Sequence, residues 1–306
     1  MLNALLLRIG LALGVALGVA TLVFLLLHLA PGDPVEAMLG ESASAADRAA
    51  LRTAMGLDAP LPTQWLGYVR GLLHGDLGLA LGSQHPVSAL ILARLPQTAL
   101  LAVSALVLAL ALALPLGLRA ALRPGGGWDR VTSALAVLGM SLPSFVLGPL
   151  LMMAFAVWLG WLPVSGSDEA ATLVLPALTL GLALAAPLAR MVRVAVGETL
   201  REPFIVAAHA RGLSGQRVLW RHALRNAALP VLTLVGMQLG ALLGGAVVTE
   251  MVFGWAGIGQ LVLEAIQRRD YPLVQGCVLT ISLSYVAINL LTDVLYQVAD
   301  PRVRAA

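Results

Sequence analysis

Lysine is missing from this chain altogether; all 19 basic residues among its 306 are arginine. That absence removes every mechanism that needs a lysine, from the phosphate-gripping Lys of a P-loop to Schiff-base chemistry. Cysteine occurs once, at Cys277, which rules out an intrachain disulfide and a Cys-based zinc cluster. Charge is scarce too: 11% of residues are charged, against roughly 25% in a soluble domain. No His-Glu-x-x-His, no Gly-x-Ser-x-Gly and no paired intramembrane Asp occurs. None of His28, His74, His85, His209 and His222 has another His three or four residues away. The sequence thus offers no catalytic residues, no metal ligands and no cofactor site, and no nucleic-acid partner is expected.

What is abundant is apolar sequence: 59% of residues are hydrophobic and the mean hydropathy is +0.90. Such a chain could not cover itself in water without large exposed patches, so lipid is the expected solvent. A crossing helix needs about 20 predominantly apolar residues. Charge-free runs of that size lie at 9–32, 95–118, 131–167, 170–189, 226–249 and 271–292. They predict an all-α polytopic membrane protein with six transmembrane helices. The run 131–167 is too short for two crossings and a turn. Trp158, Trp161 and Pro163 near its end suit an aromatic belt and a helix stop, giving one span over about 134–158. The first run is too long for a signal-peptide core and reads as a permanent anchor. The stretch 77–93, broken by Gly78, Gly82 and Pro86, is left outside the bilayer.

Six crossings put both termini on one side, and arginine decides which. Thirteen arginines fall on the face of the termini, seven of them between spans four and five: Arg190, Arg193, Arg201, Arg211, Arg217, Arg221 and Arg225. Six fall on the other face, among most of the acids. The arginine-dense face, with both termini, is expected to be cytoplasmic. Gly10, Gly14 and Gly18 in span one, and Gly236, Gly240 and Gly244 in span five, recur every four residues. They fit either close helix packing or the general abundance of glycine in membrane helices. All six spans can be drawn without an interior carboxylate, since Glu250 and Asp293 fall at span ends as hydrated interfacial charges. That weighs against an ion-coupled secondary transporter, which usually marks its path with intramembrane ionisable groups.

Outside the bilayer, 44–55 and 63–73 read as surface helices, the second with Trp65, Tyr68 and Leu72 on one side and Arg70 exposed. They fit a membrane-hugging scaffold or a surface that receives a partner. The segment 251–270 reads similarly, with Phe253 and Trp255 near the headgroups and Gln267 to Asp270 in water. On the cytoplasmic side Pro203 can open a helix that ends at Gly212, a natural position after a helix C-terminus. Ser214 can cap a second helix over about 215–228, on which Arg217, Arg221 and Arg225 form a basic stripe while Val218, Leu219, Ala223 and Ala227 cover other faces. This loop fits a docking device or a plain interfacial flank.

The stretch Ala208, His209, Ala210, Arg211, Gly212, Leu213 and Ser214, followed by Val218, His222 to Asn226 and Pro230, resembles the EAA loop of ABC-importer permeases, in particular the dipeptide/oligopeptide/nickel branch. The likeness runs through Leu29 to Pro34, Leu57 to Pro62, Gly75 to Gly78, Ala93 to Pro96, Ser141 to Phe145 and Trp161 to Pro163. It continues in Phe253 to Gly259, Arg269 to Gln275 and Asp300 to Arg302. Val206 stands in place of the Glu that names the general loop, His209 where an Arg is usual and Arg211 where a Lys is usual, so no salt bridge from position 206 is expected.

The resemblance implies a type I ABC-importer permease fold: anchor 1–32, external segment 33–94, permease domain 95–297 with coupling loop 197–229, and tail 298–306. It implies one non-catalytic transmembrane subunit, with a second homologous permease, two ATPase subunits and an extracytoplasmic substrate-binding protein as partners. The coupling residues would be Ala207 to Ser214 with Arg217, Arg221 and Arg225. Peptides are the first-choice cargo; nickel, glutathione and sugars are the alternatives within the branch.

Overall fold

The computed structural model describes residues 2–29, 35, 44–54, 57–167 and 169–299. Among them the regular structure is helical, with one isolated bridge between Leu79 and Pro86. The expected signature at Ala30 to Pro34 and the tail from Asp300, with Arg302 and Arg304, lie outside the described residues. Among the described residues three helices are long and apolar enough to cross a membrane, within Val87–Leu122, Ala170–Thr199 and Tyr271–Thr292. The number rises to five if two bent pairs, Gly127–Gly139 with Ser144–Trp158 and Ala246–Phe253 with Ile258–Gln267, are single broken spans. The chain divides into two units, Met1–Thr98 with Ala256–Val286, and Ala99–Trp255 with Ala287–Ala306.

In the first unit, helix α1 (Leu2–Leu29) is followed by α2 (Ala45–Ala54) and α3 (Leu61–Leu73). Of the α3 face expected from Trp65, Tyr68 and Leu72, Trp65 and Tyr68 meet α1. The Trp65 indole N–H donates to Thr21 Oγ1 at 3.1 Å, and the Tyr68 and Phe24 rings lie 5.7 Å apart. Burial pushes the Tyr68 hydroxyl up to about 12. Among the described residues the Gly10, Gly14 and Gly18 face has no close neighbour: a Cβ at any of the three meets nothing within 4 Å.

A tight hairpin follows, with Ala80 N–H donating to His85 O and Val87 N–H to Gly78 O. It leads into α4 (Val87–Leu122), which starts well before the apolar run at 95. The hairpin is held by Asp270. One Asp270 oxygen accepts the Gly82 N–H at 3.2 Å; the other accepts the Leu273 N–H at 3.3 Å, capping α12 (Tyr271–Ala299). Asp270 is therefore buried, not in water as its sequence setting suggested; Gln267, Arg268 and Arg269 are exposed. Helix α11 (Ile258–Gln267) packs Ile258, Leu261 and Ala265 against Val87, Ile91, Leu273 and Cys277.

In the second unit, α7 (Val174–Thr199) is the central helix, packed against α5 (Gly127–Ser141), α6 (Ser144–Leu151) and α10 (Leu224–Phe253). The expected single span over 134–158 is broken. The chain leaves α5 at Leu142, turns through 105° before Pro143 and α6, and ends in a π-helical turn over Met152–Trp158. Pro143 fits there because the residue before a proline disfavours helical geometry. Gly160, at φ +63, follows the helix end before Pro163 is reached, and Trp158 and Trp161 are exposed. Two other expectations are corrected. Phe253 and Trp255 are wholly buried in protein, and Glu250 is 0% exposed. The reason is packing: Trp255 joins Leu101, Ala105, Leu180, Leu242 and Ala246 in one core cluster.

Candidate functional site

The segment after α7 is built from its own small core. Glu202 is extended and Pro203, whose missing N–H is no loss in a first helical turn, opens α8 (Pro203–Ala210). Ile205 and Ala208, three apart, turn inward and are buried with Val218 and Ala223, flanked by Leu200, Leu213 and Leu219. The helix ends at Gly212 in the left-handed region, φ +78. The Gly212 N–H donates to His209 O at 2.9 Å and the Leu213 N–H to Ala208 O at 3.3 Å. This is the paired closure of a Schellman motif, completed by the packing of Leu213 against the same core.

The outward face of α8 carries Phe204, Val206, Ala207 and Ala210, all exposed, with Val206 at 65%. The two polar side chains fold back on the helix: His209 Nδ1 lies 3.0 Å from Ile205 O, and Arg211 Nε donates to Ala207 O at 3.2 Å. Ser214 is the residue ahead of the next helix and its carbonyl accepts the Val218 N–H, but its hydroxyl makes no capping bond. The expected second helix over 215–228 is not a separate element. Helix α9 (Gly215–Val218), a π-helical turn (Leu219–Ala223) and α10 follow one another without a gap. Pro230 lies inside α10 rather than ending the loop. Arg217, Arg221 and Arg225 are all exposed, while Val218, Ala223 and Ala227 are buried.

The loop core joins a second cluster through Leu200 and Leu219, which also pack against Val192, Val196, Ala121 and Ala227. Packed side chains thus connect α8 to the ends of α4, α7 and α10. Sequence reasoning missed a polar tie at the same end. Asp129, in the first turn of α5, is buried and ion-paired with Arg193 of α7; Arg193 Nη2 donates to Oδ2 at 3.0 Å and the Gly125 N–H donates to the same oxygen at 2.8 Å. The hydrogen bond from Arg193, then that from Gly125, hold the Asp129 carboxyl below its usual range. Beside it the Arg119 guanidinium lies 5.3 Å from the Trp128 ring. Nothing in the spacing of Asp129 and Arg193 announces this pair. Ile205 was legible in principle, since its three-residue offset from Ala208 marks an inward face. Among the described residues no group of three or more His, Cys, Asp or Glu could hold a metal.

Residues 113–305 match the family described as binding-protein-dependent transport system inner membrane component, and residues 1–102 match its N-terminal companion family. The chain is 43% identical over 283 residues to the glutathione transport system permease protein GsiC of Pectobacterium atrosepticum, covering 92% of each chain. It is 42% identical to GsiC of Salmonella typhimurium over 99% of each, and 41% identical to GsiC of Escherichia coli K12 over 92% of each. The structure is similar to a chain of the inward-facing MetNI methionine ABC transporter, with a TM-score of 0.59, 18% identity, and coverage of 69% of this chain and 96% of that one.

Proposed function

This chain belongs to the family of binding-protein-dependent transport system inner membrane components, and on that premise we propose that it forms half of the translocation path of a peptide importer. It is an inner-membrane permease of the ABC-importer class. A second homologous permease completes the path, two separate ATPase subunits supply the energy, and an extracytoplasmic binding protein delivers the substrate. The chain crosses the membrane six times with both termini cytoplasmic. This subunit itself does no chemistry on ATP: with no lysine it has no P-loop.

The single observation that carries the cargo is the match, at 41–43% identity over nearly full length, to permeases named for glutathione transport. Glutathione is a tripeptide, so the small-peptide reading and the relatives' names converge on it as the first cargo to test. Coupling runs through loop 197–229. Val206, Ala207 and Ala210 form the face offered to an ATPase cleft, while His209, Arg211, Gly212 and Leu213 fix the end of the lever. Ser214, Arg217, Arg221 and Arg225 form the base of the hairpin. Ala208 faces inward and holds the lever to its own core. ATP can drive such a lever only if the loop binds the two ATPase states with different affinity.

The test is uptake by the assembled importer in proteoliposomes, with ATP inside and binding protein outside. Labelled glutathione or a dipeptide should accumulate only when both are present, and accumulation should survive a protonophore. Uptake that collapses with the proton gradient while ATP is held constant would point to an ion-coupled transporter instead.

A further inference from the structure

The two faces of the cytoplasmic hairpin differ sharply in charge. The outer face of α8 is apolar and small, whereas the helix that follows carries Arg217, Arg221 and Arg225, all exposed, with Trp220 66% exposed among them. No acid lies between Glu202 and Glu250 in the sequence, and none of the three arginines forms an ion pair among the described residues. We propose that Arg217, Trp220, Arg221 and Arg225 form a binding surface for the anionic phospholipid headgroups of the cytoplasmic leaflet, separate from the ATPase-facing surface of α8. This rests on the cytoplasmic placement of the loop.

Position along the helix favours lipid over protein. Arg225 is the last charge before the apolar run 226–249, on a helical path that continues unbroken into it. At 1.5 Å per residue, Arg221 lies about 6 Å and Arg217 about 12 Å further out. The headgroup layer of one leaflet is about 5–7 Å thick. Arg225 and Arg221 thus fall at headgroup depth, and Arg217 reaches that layer with its long side chain. Trp220, between them, is the residue type that favours this boundary.

The π-helical turn over Leu219–Ala223 keeps the stripe together. In a pure α-helix a four-residue spacing rotates by about 40° per step, so three arginines would spiral away from a flat surface. The wider turn counters that drift between Arg217 and Arg225. An arginine fork pairs with phosphate oxygens in bidentate fashion, and the lipid supplies the negative charge that this stretch of chain lacks.

The test uses the assembled importer in nanodiscs that contain brominated phosphatidylglycerol or, in parallel, brominated phosphatidylcholine. The contribution of Trp220 is the difference between the wild-type importer and Trp220→Phe. Quenching of Trp220 should be several-fold stronger with the anionic lipid, and Arg221→Gln should cut that preference by about fivefold. The triple change of all three arginines to Gln should abolish it. Equal quenching by the two lipids overturns the proposal. So does loss of the ATPases in the arginine variants with the lipid preference unchanged, which would make the stripe a protein contact. Sidedness is read separately with Ala210→Cys: reaction from the outside defeats the cytoplasmic placement itself. No reaction from outside, combined with equal quenching, defeats only the lipid surface.

Discussion

Gly212 is the residue on which the shape of the proposed coupling lever turns. Its φ of +78 lies where a side chain is strained, yet a Cβ there meets nothing within 4 Å. Any defect on substitution must therefore come from the backbone and not from a clash. Asparagine tolerates the left-handed region and valine does not. Gly212→Asn should keep transport near normal, and Gly212→Val, at a local cost of about 1–3 kcal/mol, should lower the ratio of substrate moved to ATP hydrolysed with membrane insertion intact. Equal coupling ratios in the two variants would show that the turn is not a coupling element. Asp129 gives a second expectation. Its carboxyl is held below the ordinary value of 3.8 by Arg193 and Gly125, so the folded state prefers it ionised. The stabilisation is present above that value and is lost as pH falls through the lower, folded-state value. The gap in thermal stability between the wild type and Asp129→Asn should hold steady from neutral pH down to the carboxylate range and close only below it. A gap that closes near neutral pH would mean that another group carries it.

Helix contacts separate glycines that pack from glycines that merely occur. A Cβ at Gly117 of α4 would lie 2.6 Å from the Ala189 carbonyl oxygen and 2.7 Å from Val192 Cβ of α7. Because the first obstacle is backbone, the helices must part, and overpacking of this kind costs about 1–3 kcal/mol. Gly117→Ala should lower the melting temperature of the purified permease, and Gly10→Ala, which meets nothing, should not lower it. Sequence periodicity pointed to the Gly10 stripe, and to the Gly236 stripe, where a Cβ at Gly236 would collide with the Thr292 side chain; it said nothing of Gly117, because a single glycine has no period. The same limit explains the other differences. Charge-free runs coincide with the long apolar helices within Val87–Leu122, Ala170–Thr199 and Tyr271–Thr292, since the solvent alone decides them, and Gly212 and Pro203 bounded α8 through local stereochemistry. The burial of Phe253, Trp255 and Asp270 depends on neighbours far along the chain. The Asp129–Arg193 pair spans 64 positions, a separation at which charge spacing carries no signal.

For the molecule as a whole, the decisive quantity is which compartment receives α8. Thirteen arginines against six favour the cytoplasm for the face carrying loop 197–229, and the ATPase reading requires the same side. Ala210 is a good reporter because it is exposed on the outer face of α8 while the native Cys277 is buried. In a Cys277→Ala background, Ala210→Cys should resist an impermeant thiol reagent applied to intact cells and react in inverted membrane vesicles. Reaction should slow when the ATPase subunits are bound if Ala210 lies in their cleft as proposed, and a cysteine at Leu73, exposed on α3, should show the opposite sidedness. Labelling of position 210 from outside would place the lever away from the nucleotide and end the importer mechanism for this subunit. Inside labelling that is indifferent to the ATPases would keep the topology and move the docking surface elsewhere on the loop.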